Sequence, residues 1–89
     1  MTTYTHVLDT SDTRLISGSA LKFPCSVGAT PRSGDTVLVE VSYDGTNFAN
    51  WTPGATAAAA NQAFATPVAV FRVSRSAGTG TTSSVTFNF

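Results

Sequence analysis

The chain has 89 residues and zero formal net charge, and only 11% of its residues are charged, against about 25% in ordinary soluble domains. This length allows one domain with one modest core, so residues 1–89 are predicted to form a single β domain. The few basic residues form no run, which argues against nucleic-acid binding. No apolar stretch approaches the roughly 20 residues that span a membrane, so no membrane association is expected.

The first predicted element is a short strand from Tyr4 to Leu8. Alternation places Tyr4, His6 and Leu8 on one face. His6 is the only histidine, and on that face it is predicted to be packed or to lie in an interface, rather than to act as a base or ligand. The segments that follow are short: a polar turn over residues 9–13, strands over 14–16 and 20–24, and a Gly- and Pro-bounded loop over 28–35.

The clearest strand covers residues 36–43. A period of two assigns its apolar face to the core, and that face consists of Val37, Val39, Val41 and Tyr43. Asp44-Gly45 is a turn signal between two strand-like segments. The chain is therefore predicted to turn there and return as a hairpin strand that ends on Trp51.

The alanine-rich segment 55–63 is too short for a stable isolated helix. It is predicted to be a loop, or one helical turn, that crosses between sheets. A second hairpin is predicted from strand 68–76, with Phe71 and Val73 inward, through the turn 77–80 to strand 84–89. The whole pattern predicts an all-β fold, a compact antiparallel β-sandwich or small β-barrel of about six to eight short strands.

Catalytic chemistry is not indicated by any motif. Cys25 has no second cysteine for a disulfide and is predicted to be structural. No Gly-x-Ser-x-Gly elbow accompanies the serines, and the spacing of Asp35, Glu40 and Asp44 fits no calcium loop. We therefore predict a protein that is not an enzyme and has no metal or cofactor.

Two groups of side chains leave alternatives open. Tyr43, Phe48 and Trp51 could form an aromatic platform for a sugar, although a core or edge role for Trp51 is favoured because so small a chain needs large apolar side chains. Arg72 and Arg75 lie on opposite faces of a regular strand. At least one of them is expected to face solvent or to be paired across an interface.

The order of elements over residues 36–87 resembles small virion proteins of tailed bacteriophages. The resemblance rests on Val-Glu-Val-Ser-Tyr-Asp-Gly-Thr-Asn-Phe at 39–48, the Ala/Thr-rich crossover, and Pro-Val-Ala-Val-Phe-Arg-Val-Ser-Arg-Ser-Ala-Gly-Thr-Gly-Thr at 67–81. It implies a capsid decoration (cement) protein that stabilises the head by bridging major capsid subunits. The alternatives are a tail or fibre component, and a carbohydrate-binding module that uses Trp51 and Tyr43.

The same interpretation implies a homo-oligomer, expected to be a trimer, bound to the major capsid protein. The first residues lack a basic region followed by an apolar core, so no secretory signal is expected. We predict synthesis in the host cytoplasm and a final location in the virion. Low charge and apolar strand residues near both chain ends favour association, and the predicted interface residues are Tyr4, His6, Leu8, Phe87 and Phe89.

Overall fold

The computed structural model describes residues 1–8, 13–32, 34–76 and 83–89. Eight strands account for most of these residues, and a 3₁₀ turn, Gly18–Ala20, follows the second strand. In chain order the strands are β1 Thr3–Leu8, β2 Thr13–Ser17, β3 Cys25–Thr30, β4 Val37–Ser42, β5 Ala49–Asn50, β6 Ala60–Phe64, β7 Val70–Arg75 and β8 Ser83–Asn88.

The strands form two four-stranded antiparallel sheets, with the orders β1-β8-β3-β6 and β2-β7-β4-β5. We call them sheet A and sheet B. Their inner faces pack against each other, which confirms the predicted all-β fold in its β-sandwich form. The described part of the chain contains no helix with the length and hydrophobicity that crossing a membrane requires.

The core lies between the sheets and is built from alternate residues of each strand, as the period of two requires. Phe71 of sheet B is fully buried. Its ring meets Phe64 and Phe87 of sheet A edge to face, with centroid distances of 5.3 and 5.2 Å. Aromatic pairs favour this geometry, so Phe71 joins the two sheets at the middle of the sandwich.

The predicted core face of β4 is correct for its three valines and wrong for Tyr43. Val37, Val39 and Val41 are buried, whereas Tyr43 is 57% exposed. Strand β4 ends at Ser42, and the chain then turns, so the alternation that governs the valines no longer applies to Tyr43.

The first predicted hairpin is confirmed, although its returning strand is short. Strand β5 pairs antiparallel with β4, and Gly45 has φ 84°, a left-handed conformation that glycine adopts without strain. Trp51 follows β5 and is 2% exposed. Its indole Nε1 donates to Gly54 O at 2.7 Å, which satisfies the polar atom of a buried ring.

The second predicted hairpin is wrong. Strand β7 pairs with β2 and β4 in sheet B, whereas β8 pairs with β1 and β3 in sheet A. The chain therefore crosses between sheets after β7 instead of reversing within one. The turn predicted over residues 77–80 lies outside the described residues, as does most of the turn predicted over residues 9–13.

Two further predictions need correction, and a third is partly right. Residues 20–24 do not form a strand: Pro24 has no N–H for a ladder, and the strand begins at Cys25. The loop predicted from residue 28 begins later, because Gly28 to Thr30 belong to β3. Segment 55–63 does cross from sheet B to sheet A, but its last four residues already belong to β6.

Candidate functional site: an apolar groove between two open strand edges

Strands β1 and β2 are outer strands of sheets A and B, and they lie on the same side of the sandwich, because residues of both line one groove. Thr2 and Phe89 exchange two backbone hydrogen bonds just before β1. Alternate residues of an antiparallel pair direct their backbone groups to opposite sides. The continuous register with β8 therefore points the N–H and C=O groups of Thr3, Thr5 and Val7 away from β8, toward the open edge.

The same reasoning gives the open edge of β2. Gly18 N donates to Ala69 O at 2.8 Å, and the register with β7 is continuous from there to Thr13. The backbone groups of Leu15 and Ser17 consequently point away from β7. The sandwich thus presents two adjacent rows of backbone donors and acceptors on one side.

A groove of about 460 Å³ lies between these two edges. Tyr4 and Phe89 line it from sheet A, and Leu15, Ile16 and Leu21 line it from β2 and the segment after it. Leu15 is 60% exposed and Tyr4 38% exposed. A concave, mainly apolar surface with a few polar groups is the usual form of a binding site, and this groove is the best candidate site in the part of the chain that the structure describes.

Arg14 adds a positive charge to the wall of the groove. It shares the parity of buried Ile16 on β2, so both belong to the row of side chains that faces sheet A. Among the described residues, the arginine ion pairs with carboxylates are Arg72 with Glu40 and Arg75 with Asp35. Arg14 has no carboxylate partner among these residues.

The predicted interface residues divide between this groove and the core. Tyr4 and Phe89 line the groove, and His6 is half-buried on the same face of β1. Leu8 and Phe87 are fully buried within the single chain, so their side chains are not available on its surface. The sequence pattern shows which residues share a face, but both core and interface residues have the same period.

Leu15 and Arg14 are the groove residues that sequence reasoning missed. The sequence predicts only a brief strand for the β2 segment, because five residues give little periodicity. An exposed leucine beside an arginine on a strand with few other charges is the signal that was present. Its position on a sheet edge depends on the strand order, which a single sequence does not reveal.

The buried ion pair lies away from this groove. Arg75 Nη2 is 3.0 Å from Asp35 Oδ2, and neither side chain is exposed to solvent. Arg75 Nη1 also donates to Leu8 O at 2.8 Å, and Ser83 Oγ donates to Asp35 Oδ2 at 2.9 Å. These contacts join strands of both sheets, so the pair has a structural role.

Arg72 forms the second ion pair, on the outer face of sheet B. Its Nε and Nη2 donate to the two carboxylate oxygens of Glu40 at 2.9 and 2.7 Å. Its guanidinium carbon also lies 4.1 Å from the centre of the Phe48 ring. The hydrogen bonds from Arg72 hold the pKa of Glu40 below its usual value. The expectation that at least one of Arg72 and Arg75 faces solvent is met by Arg72, whose side chain is 36% exposed.

Asp44 is used by the β4–β5 turn. Its Oδ1 accepts from the backbone N–H groups of Asn47 and Thr46, each at 2.8 Å. The side chains of Asn47 and Ser42 also donate to it. These donors, led by the Asn47 N–H, hold the pKa of Asp44 well below its ordinary value. Within the described residues, no three His, Cys, Asp or Glu side chains group as a metal site would require.

The aromatic side chains considered for a sugar platform do not form one. Trp51 is in the core, as the favoured alternative predicted, whereas Tyr43 is exposed after β4. Cys25 is buried, and burial raises the pKa of its thiol, as expected for a structural cysteine.

A second, shallower depression lies on the outer face of sheet A around Gly28. The side chains near it are small or neutral, and several bond one another, as Thr5 Oγ1 and Thr86 Oγ1 do at 3.0 Å. It has no large apolar side chain that could anchor a partner, so the groove remains the better candidate.

Comparison with known proteins adds no relative. No protein-family model, no curated protein and no solved structure matches this chain. The functional proposal therefore depends on the geometry described above and on the sequence resemblance.

Proposed function

We propose that this chain is a structural protein of a tailed-bacteriophage virion and acts as a capsid decoration protein that bridges major capsid subunits. The observation that carries the proposal is the apolar groove between the two open edges of β1 and β2. Open edges and exposed apolar side chains pair readily with other chains. The resemblance of residues 36–87 to small virion proteins directs that binding capacity toward a capsid.

The proposed mechanism is cross-bridging without chemical catalysis. A homo-oligomer, proposed as a trimer, would lie over a local symmetry axis of the shell and contact several capsid subunits at once. Each contact can be weak, because linked contacts multiply the overall affinity. Within the chain, Asp35, Glu40 and Asp44 serve the fold, which supports a binding role.

Sedimentation with capsids tests the proposal. Capsids purified from phage that lacks this chain are mixed with the purified protein and pelleted, and occupancy is measured by electron microscopy. Leu15→Asp places a charge at the exposed rim of the groove, on the open edge of β2, and is expected to reduce occupancy. Tyr43→Asp is the matched control, because Tyr43 is similarly exposed, at 57% against 60% for Leu15, but is not among the residues that line the groove.

The proposal would be overturned if wild-type protein stayed in the supernatant with capsids of every stage of maturation. A tail or fibre component is the second candidate, because it would use the same open edges. Gold-labelled antibody against the chain distinguishes the two: label on the head supports decoration, and label confined to the tail supports the alternative. The carbohydrate-binding alternative has no comparable support, since Trp51 is buried.

A further inference from the structure

Strand β1 is an open edge of the sandwich that lacks the usual protection against pairing. Edge strands usually avoid pairing by being very short, or by carrying charges, prolines or bulges. Strand β5 has two residues, and β2 carries Arg14. Strand β1 has six residues, Thr-Tyr-Thr-His-Val-Leu, without Lys, Arg, Asp, Glu, Pro or Gly. Thr, Tyr and Val also favour extended backbone, so β1 is well suited to accept another strand.

We propose that an extended segment of a partner protein adds as a strand to the open edge of β1 and places a carboxylate against Arg14. The proposal deepens the function given above, on which it depends for the presence of a protein partner. The backbone of the added strand would bond the outward N–H and C=O groups of Thr3, Thr5 and Val7. This is strand addition, in which the main chain supplies affinity and alternate side chains supply specificity.

The side chains of the added strand would alternate between two surroundings. Those on the inner side would enter the groove against Tyr4, Ile16 and Phe89, where apolar groups fit. One inner position would lie beside Arg14, whose charge favours Asp or Glu. Those on the outer side would continue the row formed by Thr3, Thr5 and Val7, where Thr or Ser fits.

A second copy of this chain fits the groove less well. Strand β1 contains no acidic residue, so pairing two copies through β1 would bring no carboxylate from that strand to Arg14. Partner strands with an acidic residue at an inner position satisfy both the open backbone groups and Arg14, which has no carboxylate partner among the described residues. Charge complementarity therefore favours a different protein as the occupant.

A designed peptide tests the proposal with the intact chain. The probe is the capped hexapeptide acetyl-Thr-Val-Thr-Asp-Thr-Val-amide, which places Val, Asp and Val on one side when extended. The matched control replaces its Asp by Asn. In a titration followed by backbone amide NMR, the Asp peptide is expected to shift the signals of Thr3, Thr5 and Val7. It should bind roughly threefold to fivefold more tightly than the Asn peptide, as expected for an exposed charge pair.

Chain variants separate the two parts of the proposal. Arg14→Gln should remove the preference for Asp over Asn and leave the shifts in β1. Thr5→Pro deletes an outward N–H and should weaken binding of both peptides by roughly fivefold or more. Ala63→Pro is its control on β6, the opposite edge of sheet A, where the alternating register also directs the Ala63 N–H outward. The NMR signal of the Trp51 indole reports whether each variant keeps its core. If Thr5→Pro unfolds the chain, Thr3→Pro is used in its place.

Each outcome bears on the proposal. Equal affinity of the two peptides, or shifts confined to residues outside β1 and the groove, would overturn it. Concentration-dependent shifts of Thr3, Thr5 and Val7 without peptide would also overturn it, by showing a second copy on the edge. Peptide binding without capsid binding would retain strand addition and reject decoration, whereas capsid binding that Thr5→Pro and Arg14→Gln leave intact would retain decoration and reject strand addition.

Discussion

Asp35 and Arg75 form an ion pair with 3.0 Å between Oδ2 and Nη2, inside a sandwich that leaves neither side chain any contact with solvent. Asp35 precedes β4, and Arg75 ends β7. Arg75 reaches across to Leu8 O of sheet A, and Ser83 of sheet A donates to Asp35. A single pair of charges therefore ties the loop before β4 to strands of both sheets, and removing either partner leaves a buried charge without compensation.

Loss of the buried carboxylate should be strongly destabilising. Asp35→Ala leaves Arg75 charged in a dry environment, and we expect the free energy of unfolding to fall by about 3–5 kcal/mol. Urea denaturation followed by circular dichroism measures the change. Glu40→Ala is the matched control, because it removes an ion pair of the same chemistry that solvent reaches. Equal effects of the two variants would show that burial does not determine how much the Asp35–Arg75 pair contributes to stability.

Trp51 should contribute to stability through both its volume and its indole N–H. Trp51→Ala leaves a cavity beside the hairpin and is expected to cost about 3–5 kcal/mol. Trp51→Phe retains much of the apolar volume but leaves Gly54 O without its donor, so a smaller cost of about 1–2 kcal/mol is expected. Far-UV circular dichroism in urea gives both values. A stable Trp51→Ala protein with a selective loss of glycan binding would contradict the core role and revive the sugar-binding alternative.

The charge of Asp44 should stabilise the folded chain near neutral pH but not in strong acid. Its pKa in the folded chain is lowered, so the folded state favours the ionised form. The contribution is complete above the ordinary pKa of about 3.9 and is lost as pH falls through the lower folded value. Thermal melts of wild type and Asp44→Ala at a series of pH values should therefore differ near neutrality and converge in strong acid. A difference that grows on acidification would show the opposite shift.

Gly18 should tolerate no side chain. A Cβ at this position would lie 1.6 Å from the backbone oxygen of Val68, so β2 or the segment before β7 would have to move. We expect Gly18→Ala to cost about 3 kcal/mol or more, the upper range for overpacking. Gly28→Ala is the control, since the nearest atom to its added Cβ would be the end of the Asn61 side chain, at 3.2 Å. Similar denaturation midpoints for the two variants would contradict the close approach at Gly18.

Local pattern was sufficient for much of the fold. The alternation of Val37, Val39 and Val41 gave the core face of β4, and Asp44-Gly45 gave the first turn, because both signals act between near neighbours in the chain. The same local signals suit a hairpin and a crossing between sheets equally well. The pairing of β7 and β8 could therefore not be read from the residues that connect them.

The site was harder to predict, because it depends on which strands lie at the edges. Tyr4 and Phe89 were recognised as apolar residues near the chain ends, but Leu15 gained its importance only from the placement of β2 beside β1. The burial of Arg75 could have been predicted from the sequence. It shares the inward parity of Phe71 and Val73, and this parity predicts burial and hence a buried carboxylate partner.

The antiparallel pairing of β1 with β8 determines when the chain can fold during synthesis. Thr3 and Asn88, which lie opposite each other in this ladder, are 85 residues apart. Leu8 leaves the ribosome long before its partner Ser83, with an interval of roughly 4–15 s at a synthesis rate of about 5–20 residues per second. During that interval β1 has both edges unpaired, so the nascent chain exposes β1 for pairing with other chains until β8 has been made.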